Sequence, residues 1–90
     1  MLDASKVRRR IAEILTSKEA VSLQIDVSQL KDDTTLGDDL ALDSIQRMEF
    51  AIALEEEFGL TLDVRLFETS LDTFGALVDH VAKNGQRGAG

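Results

Sequence analysis

The chain has no cysteine, proline, tryptophan or tyrosine, a single histidine, and only four phenylalanines among its 90 residues. Without cysteine there can be no disulfide, no zinc–thiolate centre and no thiol nucleophile belonging to the polypeptide. The lone histidine, His80, falls in the last helical stretch and is expected to be exposed, so no serine here has an evident base. A Gly-x-Ser-x-Gly elbow and a phosphate-cradling glycine loop are also missing. No catalytic residue is therefore expected, and the chain does not read as an enzyme. No stretch approaches the ~20 apolar residues of a membrane span. Arg8-Arg9-Arg10 is followed by no apolar run, so a secretory signal is not expected and the cytoplasm is the expected compartment.

Acid is abundant. The net charge is −7, and twelve carboxylates lie between Asp32 and Asp72 against Arg47 and Arg65. This acidic middle argues against nucleic acid and anionic membrane as partners, and for basic proteins. Arg8, Arg9 and Arg10 have no aromatic or second basic cluster beside them. They read as the solvated face of a first helix.

A chain of this length forms one domain, burying roughly 60–65% of its unfolded surface around a small core. Asp3 can cap a helix to about Thr16, with Ala4, Val7, Ile11, Ile14 and Leu15 on its buried side. From Ser17 to Leu42 periodicity is lost. The expectation is a long loop with one or two short helical turns, pinned by Val21, Leu23, Ile25, Val27, Leu30, Leu36 and Leu40. The alternation from Val21 to Val27 could mark a strand, but no partner strand is visible. Asp32-Asp33-Thr34-Thr35-Leu36-Gly37 has some calcium-loop spacing, yet Leu36 offers no oxygen at the fifth position and no paired helices flank it. No metal site is expected beyond non-specific divalent binding. Asp63 can cap a short helix over Val64–Glu68, and Asp72 or Thr73 a last helix ending at Asn84-Gly85. The domain should thus cover residues 1–85, with 86–90 a disordered tail.

The most informative stretch is the helix of about four turns expected from Ser44 to Phe58, capped by Asp43 or Ser44 and stopped by Gly59. At 100° per residue, Phe50, Ala51, Leu54 and Phe58 share a side that belongs to a core. Ile45, Met48 and Ile52 form a second apolar stripe opposite, flanked by Glu49, Glu55 and Glu56. A surface helix needs only one buried face, so the second stripe implies a surface to be covered by a partner.

The same residues carry a family resemblance. Asp43-Ser44-Ile45 resembles the Asp-Ser-Leu signature of acyl carrier proteins and peptidyl carrier domains. Leu36-Gly37-Asp38-Asp39-Leu40 is similar to the family's preceding loop, and Ala53-Leu54-Glu55-Glu56-Glu57-Phe58 to the acidic end of its helix. The resemblance runs from about Val7 to Val81. It implies an all-α, small four-helix bundle with a long first loop and a short third helix. It also implies 4′-phosphopantetheine, taken from coenzyme A, covalently attached to Ser44 with Asp43 as the flanking motif residue. The chain would then hold acyl or related intermediates as thioesters in fatty-acid, polyketide or other specialised biosynthesis. Expected partners are a phosphopantetheinyl transferase and acyl-loading, condensing or other acyl-processing enzymes, docking on Ile45, Met48, Glu49, Ile52, Glu55 and Glu56 of a monomer. The alternative from another class is an unmodified acidic helical adaptor binding a basic partner through the same face. Three features depart from the pattern. Ala41 stands where many relatives have glycine, and Arg47 puts a positive charge near the serine. The Leu66-Phe67-Glu68 region looks closer to carrier domains of multimodular synthases.

Overall fold

Each helix begins where a short polar side chain accepts from an otherwise unsatisfied amide. In the computed structural model, which describes residues 2–87, Asp3 Oδ1 accepts from Ser5 N at 2.9 Å and opens α1 (Ala4–Thr16). Asp43, not Ser44, caps α2 (Ser44–Phe58): Asp43 Oδ1 accepts from Gln46 N at 2.7 Å while Gln46 Oε1 accepts from Asp43 N at 3.0 Å. That reciprocal pair satisfies two amides at once. Thr73 Oγ1, not Asp72, caps α3 (Phe74–Asn84) by accepting from Ala76 N at 3.2 Å. Gly59 ends α2 in the left-handed region with φ 64°, where a side chain would be strained.

α1 packs against α2 and α3, and α2 against the segment Val64–Glu68. Val7, Ile11 and Leu15 of α1 meet Phe50, Leu54 and Phe58 of α2 and Leu77 and Val81 of α3 in one apolar cluster, with no buried polar or charged residue in it. Phe50 and Phe67 stack with ring centroids 5.6 Å apart, joining α2 to Val64–Glu68.

The long loop is built by backbone bonds to the start of α3. Leu36 N donates to Asp72 O (2.8 Å), Phe74 N to Thr34 O (2.8 Å) and Gly75 N to Asp32 O (3.0 Å). At Gly75 a Cβ would sit 2.8 Å from Asp32 Cβ, so the absence of a side chain permits the approach. Within the described residues the only β-type pairing is the isolated antiparallel bridge Thr35–Thr73. The Val21–Val27 alternation does not form a strand, because its amides find no parallel run of partners; one of them, Leu23 N, donates to Leu15 O at 2.8 Å.

Several expectations are corrected. The bundle is all-helical, but among the described residues it has three α-helices. The element expected as a short third helix, Val64–Glu68, is a 3-10 helix, and Val27–Gln29 forms another. Asp63 fixes the former through Arg65 N, and the C-cap amide of Thr69 closes it on Leu66 O, too short a span for a full α-turn pattern. Ala4 is exposed, being on the first turn before the helix reaches the core, and Val27 is 47% exposed, not a pin. His80 is half-buried; its carbonyl accepts from Asn84 Nδ2 at 2.9 Å. Arg8 and Arg10 are not merely a solvated face. Arg8 pairs with Asp32 and lies over the Phe74 ring at 4.8 Å, and Arg10 donates to Glu57 Oε1 at 3.1 Å. Gln86 N and Arg87 N both donate to Phe58 O, so the segment expected to be a loose tail is bonded at its first two residues. The rest of that tail, residues 88–90, lies outside the described residues.

Candidate functional site

Three elements converge on the start of α2. The first is the loop before it, which is tied internally: Thr35 N donates to Asp39 Oδ2 (2.8 Å), Asp39 N to Thr35 Oγ1 (2.9 Å), and Leu42 N to Leu36 O (3.1 Å). With Leu36 and Leu42 buried, the loop has two apolar anchors on either side of the bend. The bend passes through Ala41, at φ 54°. This left-handed backbone gives a physical reason for glycine at the position, and alanine there carries a strain of about 1–2 kcal/mol.

The second element is α2 itself. Ser44 is its first residue and is exposed. Among the described residues Ser44 Oγ has no hydrogen-bond partner, and neither do the backbone amides of Ser44 and Ile45. Asp43, also exposed, spends its carboxylate on the cap, so it fixes the serine's position and leaves the hydroxyl alone. With no base bonded to Oγ, the geometry suits a hydroxyl that is modified by another protein, not one that attacks by itself. The two free amides at the positive end of the helix dipole suit an attached phosphodiester.

The third element is Val64–Glu68. Arg47 Nη1 donates to Glu68 Oε1 at 2.6 Å while its Nε donates to Leu42 O at 3.1 Å. The positive charge that the sequence puts near Ser44 is therefore paired and half-buried. It works as a tie between loop, α2 and the 3-10 helix. This was missed in the sequence, where Arg47 and Glu68 stand 21 residues apart with no pattern linking them.

Along the rest of α2 the second stripe is open. Ile45 is 70% exposed, Met48 56% and Ile52 48%. Glu49 and Glu56 are exposed beside it. Glu55 differs: it is half-buried, and its Oε2 accepts from Leu62 N at 2.8 Å. It caps the loop after α2 and is less available to a partner than the other two. Of the two carboxylates in residues 32–37, Asp32 is paired with Arg8, and just beyond them Asp39 accepts from Thr35 N. No group of three or more ligating side chains forms a metal site among the described residues, and no helix there is long and apolar enough to cross a membrane.

A family model described as "Phosphopantetheine attachment site" matches residues 5–81. The chain is 30% identical over 83 residues to the mitochondrial acyl carrier protein of Saccharomyces cerevisiae, covering 92% of this chain and 66% of the yeast protein. It thus spans just under two thirds of that relative's length. Among solved structures, the acyl carrier protein from Enterococcus faecalis superimposes with a TM-score of 0.75 at 33% identity, covering 94% of this chain and 100% of the other.

Proposed function

This chain belongs to the acyl carrier protein family, whose members are carriers and not enzymes and whose covalently attached cofactor is 4′-phosphopantetheine, and we propose that Ser44 Oγ is the attachment point. The observation that carries the proposal is an exposed serine hydroxyl without a protein partner, at the first position of a capped helix beside two free amides. Asp43 holds the helix start in place. The amides of Ser44 and Ile45 face a phosphodiester favourably, an effect worth about 0.3–1 kcal/mol at an exposed terminus. When bound, the group supplies the thiol that this cysteine-free chain lacks, and on it an acyl or related intermediate is held as a thioester.

Partner enzymes of fatty-acid, polyketide or other specialised biosynthesis would dock over Ile45, Met48 and Ile52. Glu49 and Glu56 would meet basic groups on the partner, and Glu55 would act mainly through the loop it caps. Exposed apolar side chains ringed by one sign of charge suit transient partners of opposite charge, because the charges speed encounter and the apolar centre fixes the pose. A monomer in the cytoplasm is part of the same proposal; the yeast relative is mitochondrial.

Intact-mass measurement after incubation with coenzyme A and a phosphopantetheinyl transferase tests the assignment. The parental chain should gain one phosphopantetheinyl group and Ser44→Ala none. A gain that survives Ser44→Ala would move the attachment elsewhere, to Ser28 or Ser70 for example. No gain with several transferases would favour an unmodified adaptor that uses the same face.

A further inference from the structure

The bend that leads into Ser44 holds a residue in a conformation it would not choose alone. Ala41 sits at φ 54°, a region that a residue with a Cβ leaves unless its neighbours prevent it. The neighbour that prevents it is Leu42, 2% exposed, whose amide donates to Leu36 O at 3.1 Å. The Leu42 carbonyl lacks the partner that a helix start ordinarily provides. Gln46 N, the amide that would serve it, is taken by the Asp43 carboxylate, and no other backbone amide among the described residues donates to Leu42 O. Arg47 Nε takes that place at 3.1 Å.

Arg47 is itself aimed. Its Nη1 donates to Glu68 Oε1 at 2.6 Å, so the guanidinium spans from the bend to the 3-10 helix. The Arg47 side chain is 22% exposed and that of Glu68 62%. An ion pair with one member so open to water contributes little to stability. What the pair supplies is direction, because a planar guanidinium held at one nitrogen presents the others along fixed lines. A charge-assisted bond to a carbonyl is also stronger than a neutral one. Cap and arginine thus act on adjacent residues: Asp43 fixes the first turn of α2, and Arg47 fixes the carbonyl just before Asp43.

We propose that Arg47, aimed by Glu68, is a positioning residue that holds the strained bend at Ala41 and Leu42 and so sets where Ser44 Oγ is presented to a phosphopantetheinyl transferase; this rests on Ser44 being the attachment point. Without Arg47, Leu42 O turns to water and Ala41 is free to relax toward negative φ, moving the chain that leads into Ser44. The docking face stays as it was. Ile45, Met48 and Ile52 stand exposed on α2, whereas the Arg47 guanidinium donates to Leu42 and Glu68.

Two measurements on the full chain test this. In the unmodified protein, hydrogen exchange at the Leu42 amide reads the bend without any transferase. Arg47→Gln should speed it about tenfold, with the Leu54 and Leu77 amides exchanging as in the parent. In modification kinetics with coenzyme A saturating, Arg47→Gln should lower kcat about tenfold at unchanged KM for the carrier, since a misplaced nucleophile docks normally and reacts slowly. Glu68→Gln keeps an accepting oxygen and should stay near the parent, while Glu68→Ala should fall toward Arg47→Gln. In an Ala41→Gly background there is no strain to hold, so the loss caused by Arg47→Gln should shrink severalfold. A raised KM at parental kcat would make Arg47 a docking residue, and parental kinetics with a lowered Tm a purely structural one; either overturns the proposal. So would parental exchange at Leu42, an equal loss in both backgrounds, or Glu68→Gln as impaired as Glu68→Ala. If the parental chain gains no phosphopantetheinyl group, the Ser44 reading fails, and exchange at Leu42 still decides whether Arg47 holds the bend.

Discussion

Truncating Leu54 and Met48 to alanine separately reads out the orientation of α2 directly. Leu54 is fully buried in the cluster shared by all three α-helices, while Met48 is 56% exposed. Leu54→Ala loses the transfer free energy of its removed carbons and leaves a cavity in a core that holds no buried polar residue. Such changes cost about 2–5 kcal/mol, a large part of the roughly 5–15 kcal/mol that holds a domain together. For a domain of this size that lowers Tm by about 10–30 °C. Complete burial of a methionine side chain is worth about 1.5–3 kcal/mol. Met48, less than half covered, should therefore cost about 1 kcal/mol or less and move Tm by only a few degrees. Urea unfolding followed by circular dichroism measures both, and an unchanged m-value confirms that the same amount of surface is exposed on unfolding. If Met48→Ala cost as much as Leu54→Ala, or if Leu54→Ala cost under about 1 kcal/mol, the facing of α2 argued above would be wrong. The docking proposal would then lose its apolar centre.

Charge reversal at Glu49 or Glu56 should slow acyl transfer from a cognate partner and reduce its salt dependence, with stability changed by no more than ~0.5 kcal/mol; parental rates in both variants would refute a docking role. Ala41→Gly should leave stability unchanged or raise it by up to about 1 kcal/mol, because relief of left-handed strain outweighs the extra freedom of glycine in the unfolded chain; a fall in Tm would contradict the strained bend. The Asp63 carboxyl is lowered from 3.8 to about 2, chiefly by the side-chain hydrogen bond from Arg65 and then by the Arg65 amide. A folded pKa below the unfolded one stabilises above the unfolded value, and the contribution is lost as pH falls from 3.8 through about 2. Arg65→Gln should bring the Asp63 titration, followed by NMR, back toward 3.8, and a value still near 2 would refute the cause.

The sequence by itself determined what depends on near neighbours in the chain. The two faces of α2 follow from side chains three and four residues apart, and the buried set Phe50, Ala51, Leu54 and Phe58 is the set found. The cap at Asp3 and the left-handed stop at Gly59 were equally legible, since each is settled within a few residues. Only the tertiary structure decided how residues 17–43 are held, because their bonds run to Asp72, Phe74 and Gly75 and no local period announces them. It also decided that Arg8 and Arg10 are tied across 24 and 47 residues, that Arg47 is neutralised by Glu68, and that Glu55 caps a loop. A charged side chain reads the same in sequence whether it faces water or a distant carboxylate. Folding supplies the difference by bringing the second group within hydrogen-bond reach.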